Sequence, residues 1–146
     1  MKAFIIVLTI VMIAVLGVGI VACTSSSSST NPPPTDSQTF GALSKSGASV
    51  YSGKCETCHA TGGTGGIGPP LWGSNANLGT YSGATVFNKD AQSMYNFIAA
   101  QMPLSAPGSL SEADYTEVLA YILIQNNYVS DSTTFNRSQL SSITWK

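Results

Sequence analysis

The sequence predicts an all-α fold, a small domain of three to five helices joined by long glycine-rich loops. Three observations lead there. Apolar residues recur at helical spacing in three separate stretches between Phe40 and Asn126. Residues 61–83, between the first two of these, hold eight Gly and two Pro, which is loop composition. No run of alternating apolar and polar residues marks a strand.

The chain opens on an apolar leader. Lys2 is its single charge, and residues 3–22 carry only Thr9 as a clearly polar side chain. The run is long enough to span a bilayer. It ends in Ile20-Val21-Ala22-Cys23, which resembles a bacterial lipobox. That resemblance implies that residues 1–22 are a signal peptide and that Cys23 takes the lipid; the alternative is an uncleaved membrane anchor. Both place the rest of the chain outside the cytoplasm, on the periplasmic or cell-surface side. Residues 23–39 then form a tether. Thirteen of the sixteen residues from Thr24 to Thr39 are Ser, Thr or Pro, so the stretch cannot offset its ordering entropy by burial.

The folded domain is expected over residues 40–126. Leu43, Gly47, Val50 and Tyr51 share one face of a first helix. Asp90 is placed to cap a second, in which Ala91, Met94, Tyr95 and Ile98 line up. That helix must stop near Gln101, because Pro103 pushes Met102 out of helical geometry. Ser111-Glu112-Ala113-Asp114 has the form of a capping box opening a third. Tyr115, Val118, Leu119 and Ile122 repeat along it, and Tyr121 and Leu123 widen its apolar face until Asn126-Asn127 provides a stop. A helix so broadly apolar needs more than one neighbour. Residues 127–146 follow as an extension.

Charge is sparse, six Lys and Arg against seven Asp and Glu. Without clustered basic residues the chain has no means of binding nucleic acid.

The chemistry resides in Cys55-Glu56-Thr57-Cys58-His59, the C-x-x-C-H sequence that attaches c-type haem. Two thiols three positions apart reach the two vinyl groups of one porphyrin, and the next residue's imidazole swings beneath the ring to the iron. The expected cofactor is one haem c held through two thioethers. A thioredoxin-like site would need a βαβ setting, and a zinc site would need about four ligands where His59 is the chain's single histidine. A disulfide across two residues would be strained. The cysteine arithmetic also closes: with Cys23 lipidated and the other two on haem, none of the three is spare. The 87 residues of the domain make a thin core, and a buried haem would supply the missing apolar surface.

The second axial ligand must be a methionine if it is a side chain of the usual kind. Met94 lies on the apolar face of a helix, where it reads as core filler. Met102 follows that helix directly and is held extended by Pro103, which suits a side chain presented from a loop. Met102 is preferred.

Gly47-x-x-x-Tyr51, the CETCH sequence, Gly68-Pro69-Pro70-Leu71, Met102-Pro103 and Tyr115-x-x-Val118-Leu119-Ala120-Tyr121-Ile122 together, and in this order, resemble the class I c-type cytochromes. The resemblance implies that the first and last helices cross near Gly47 and Tyr121, and that His59 and Met102 are the axial ligands. It also implies that the carbonyl of Pro69 accepts a hydrogen bond from His59, with Pro70 as the neighbouring alternative. Trp72 and Tyr81 are candidates for bonding a haem propionate or for packing. Residues 125–146 resemble extensions on cytochromes that accept electrons from quinoprotein dehydrogenases; the alternative is a tail that wraps the domain and covers apolar surface.

The expected function is one-electron transfer between redox proteins, with a quinoprotein dehydrogenase or a terminal oxidase as partner, by a monomer that is not itself an enzyme. Closed axial positions keep substrate from the iron. A gas-binding or sensing module would need a labile Met102, and a peroxidase would need an open distal face with an acid–base group that the sequence does not offer. A purely structural lipoprotein leaves CETCH without a purpose.

Overall fold

The computed structural model describes residues 32–146. The leader and Cys23 lie outside the described residues. Helix α1 (Phe40–Lys54) starts where Thr39 accepts a hydrogen bond from the Ala42 amide, and a short α2 (Glu56–His59) follows across Cys55. A 3₁₀ turn (Thr61–Gly63) opens the glycine-rich loop. Helix α3 (Ala91–Gln101) is capped by Asp90, whose carboxylate accepts from the Ser93 amide at 2.8 Å. Helix α4 (Glu112–Gln125) begins with the capping box of Ser111 and Asp114 formed in both directions.

One expectation is corrected. The loop contains a hairpin, β1 (Thr80–Tyr81) paired antiparallel with β2 (Ala84–Thr85), turning at Ser82-Gly83 where both residues have positive φ. Two-residue strands are too short to show an alternating pattern, and their turn is the primed kind that closes tight hairpins.

α1 and α4 form the most extensive helix pair. They cross so closely at Gly47 that a Cβ there would fall 2.0 Å from the Glu117 carbonyl oxygen and 3.0 Å from the Tyr121 Cβ. Backbones in contact bring Leu43 and Tyr51 of α1 into one core with Val118, Leu119, Ile122 and Leu123 of α4, joined by Ala91 and Met94 of α3. Burial all round α4 follows from its broad apolar face, and it includes Thr116 and Glu117.

Residues 127–146 wrap the domain. Phe135 and Leu140 enter the same core, Phe135 edge-on to Phe40 at 5.5 Å. The segment also supplies acceptors to two helix N-termini, whose first amides have no partner within their own helix. Thr133 and Asp131 carbonyls accept from Phe40 and Gly41 at the start of α1, and the Ile143 carbonyl accepts from Ala91 at the start of α3. Arg137 pairs with Glu112 at 3.0 Å and lies over the Tyr95 ring, binding α4 to α3. Trp145 stacks on Tyr128 and donates its indole N–H to the Leu78 carbonyl at 3.1 Å. The strap is therefore part of the core.

Candidate haem site

Cys55 ends α1 and caps α2, and the amides of Cys58 and His59 both return to its carbonyl, at 3.1 and 2.9 Å. Positions i, i+3 and i+4 of a helical turn lie on one side, so both thiols and the imidazole project together. Both thiols are free. Burial, followed by the neighbouring Cys58, pushes the Cys55 thiol up to about 11, so it is protonated at neutral pH.

After His59 the chain reverses at Ala60, which takes a positive φ of 64°. Three bonds hold that corner: the Ala60 amide donates to the Glu56 carbonyl, and the Ala60 carbonyl accepts from the Tyr51 hydroxyl at 2.7 Å and from the Gly63 amide at 3.0 Å. Burial foremost, with Cys55 and Glu56 nearby, raises the Tyr51 phenol to about 12, so it remains a donor. The loop then folds back, with Gly65 and Gly68 amides donating to the carbonyls of His59 and Cys58. Gly68 presses flat on the imidazole; a Cβ there would sit 2.7 Å from Cε1.

This return brings the Pro69 carbonyl to 2.7 Å from His59 Nδ1. The bond goes to Pro69 and not to Pro70. Because a carbonyl only accepts, Nδ1 carries the proton, and in a neutral ring Nε2 is left with its lone pair. The turn is itself tied down: Leu71 donates to the Gly63 carbonyl at 2.8 Å, and Asn126, at the end of α4, donates its Nδ2 to the Leu71 carbonyl at 2.9 Å.

Met102 caps the end of α3 with extended φ and ψ, its amide bonded to the Ile98 carbonyl, and its bond to Pro103 is cis. It is half-buried. Its own carbonyl accepts from the Tyr115 hydroxyl at 2.9 Å. Met94, 2% exposed, is packed in the core. Trp72 joins Tyr51 and Tyr121 in an aromatic triad with centroids 4.8–5.6 Å apart, while Tyr81 lies exposed on the hairpin.

Sequence reasoning passed over Asn126, read only as a helix stop, and Tyr115, read only as part of an apolar face. The available signal for Tyr115 was its polar tip, which a buried tyrosine must satisfy.

Two free thiols, an imidazole with Nε2 available and a methionine at a helix end form a donor set that fits c-type haem. Residues 42–122 match the family model described as cytochrome c oxidase, cbb3-type, subunit III, a class I c-type cytochrome domain. The chain belongs to this cytochrome family. The cytochrome is 37% identical over 83 residues to a thiosulfate dehydrogenase of Stutzerimonas stutzeri (strain A1501), a match covering 52% of this chain. The chain spans about a quarter (25%) of that relative's length. Its fold matches a chain of the sulfane dehydrogenase SoxCD from Paracoccus pantotrophus with a TM-score of 0.52 at 19% identity, over 88% of this chain and 68% of that one. The family is one that carries haem c, and the mostly helical fold is that of a class I cytochrome.

Proposed function

We propose that this cytochrome is a one-electron carrier outside the cytoplasm, tethered to a membrane by lipid on Cys23. In this reading Cys55 and Cys58 form the two thioethers to a single haem c, and His59 and Met102 hold its iron. The bound haem supplies an iron centre that cycles between ferrous and ferric states. The protein's own part is to orient the proximal ring through Pro69 and Gly68, to present Met102 from the end of α3, and to keep water and substrate from the metal. The observation that carries the reading is His59: its Nδ1 is committed to Pro69, beside two free thiols on the same helical turn.

With His59 and Met102 both holding the iron, the domain would move electrons and not transform substrate, so we read it as a monomeric, non-enzymatic partner of a redox enzyme. A dehydrogenase or a terminal oxidase fits that role. The names of the relatives support the dehydrogenase side, since one acts on thiosulfate and the other is a sulfane dehydrogenase.

Mass spectrometry of the denatured protein tests the attachment: one haem mass should remain on the chain after acid–acetone extraction. Haem extracted from the wild type would overturn it. Cys23→Ser should leave an unprocessed, full-length precursor; normal cleavage and soluble release of that variant would defeat the lipid tether.

A further inference from the structure

The loop from Pro103 to Leu110 has little of its own to hold it. Residues 104–109 are all exposed, and its one internal backbone bond joins Ala106 to Pro103. Among the described residues, the hydrogen bonds that tie this loop to the rest of the domain run through a single atom, the hydroxyl of Tyr115. That oxygen donates to the Met102 carbonyl at 2.9 Å, where the loop begins, and accepts from the Leu110 amide at 3.2 Å, where it ends. The Tyr115 ring is 4% exposed in the first turn of α4, a helix fixed by its capping box and by its crossing with α1. A helix fixed by its packing therefore closes an exposed, sparsely bonded loop at its base with the hydroxyl of one buried tyrosine.

We infer that Tyr115 is the positioning residue for Met102, setting how readily the methionine sulfur yields its place on the iron to an exogenous ligand. The inference rests on Met102 being the distal ligand. Without the hydroxyl, the Met102 carbonyl and the Leu110 amide both lose a partner, and the loop base can open by the small movement that swings the side chain away. A buried donor or acceptor left unpaired is the costly case, so the closed loop is what loses stability.

The test is Tyr115→Phe in the full-length holoprotein, a change that keeps the ring and removes one oxygen. Two readouts are needed. Hydrogen exchange at the Leu110 amide should accelerate about tenfold while amides in the middle of α4 stay unchanged. Imidazole titrated into the ferric protein should bind about tenfold more tightly, equivalent to about 1.4 kcal/mol, with Met102→Ala as the fully opened reference. Unchanged exchange at Leu110 would mean that the hydroxyl does not hold the loop, and the inference would fail. Faster exchange with imidazole affinity within twofold of wild type, while Met102→Ala binds strongly, would reduce Tyr115 to a loop closure without effect on the ligand. If Met102→Ala also left imidazole binding unchanged, the assignment of Met102 would be wrong and the inference would fall with it.

Discussion

His59 donates its Nδ1 proton to the Pro69 carbonyl at 2.7 Å, and the glycine just before that proline is the surface on which the imidazole rests. A partner on the far nitrogen makes a histidine more basic and fixes its orientation. Gly68→Ala places a Cβ against the ring and must push the turn away. The weakened bond should make His59 a poorer donor, favour the ferrous state and raise the reduction potential by about 30–60 mV, where 59 mV is tenfold for one electron. Potentiometric titration checks this; an unchanged potential would show that the turn shifts without loosening the bond.

Met102 and Met94 separate cleanly by mutation. Met102→Ala should remove the weak far-red absorption of sulfur-ligated ferric haem, lower the potential and admit imidazole. Met94→Ala should keep the spectrum and cost about 2–4 kcal/mol in denaturant unfolding, as for other large core side chains cut to alanine. The reverse pattern would exchange their roles.

Glu117 gives the domain a pH dependence. Its carboxyl is raised above the ordinary glutamate value by burial first and by Asp114 second. The folded state therefore holds this proton more tightly than the unfolded chain. Its contribution is fully present below the ordinary value of about 4.5 and is lost as pH rises through the raised one. Glu117→Gln should match wild type near pH 4 and exceed it in melting temperature at pH 7. A stability difference that stays flat across that range would show that the carboxyl is not strained by burial.

Docking should be nearly independent of salt. Residues 57–88 and 91–111 contain no Lys, Arg, Asp or Glu, and the loops that flank the site expose Ile67 (83%) and Leu104 (74%). Short-range apolar contact then replaces steering by a field. Stopped-flow reduction by the native partner should change less than about threefold between low and ~0.3 M salt, where exposed charges are screened within several Å. A steep decline would point to an acidic patch around Glu112 and Asp114.

The helices were legible because their signals are local. Asp90 and the Ser111–Asp114 box bond to amides within three residues, and Pro103 acts on the residue beside it. The close passage of α1 and α4 at Gly47 was implied by the resemblance to the class I c-type cytochromes and not by helix periodicity, which says only that Gly47 shares a face with Leu43 and Tyr51. The strap was legible only as the alternative of a tail that wraps the domain; its anchors were not, because Phe135 and Leu140 stand in a polar stretch with no periodicity to declare them. Tyr115 and Asn126 were missed for a related reason. Their bonds reach 13 and 55 residues along the chain, and only the finished fold brings those partners together.

The strap also imposes an order of events. Its contacts join Thr39 to Thr134, Asp90 to Thr144 and Leu78 to Trp145, each pairing an early residue with one near the end of the sequence. Such long closures form late, since the chain between them must already be ordered before they return their entropic cost. In a chain delivered from its N-terminus, CETCH and the loop after it emerge before the residues that lock α1, α3 and Leu78 together. Under the proposed attachment at CETCH, haem would be bonded to a domain whose cysteines are in place and whose last fastening is still to come, and that fastening would close over a cofactor already joined to the chain.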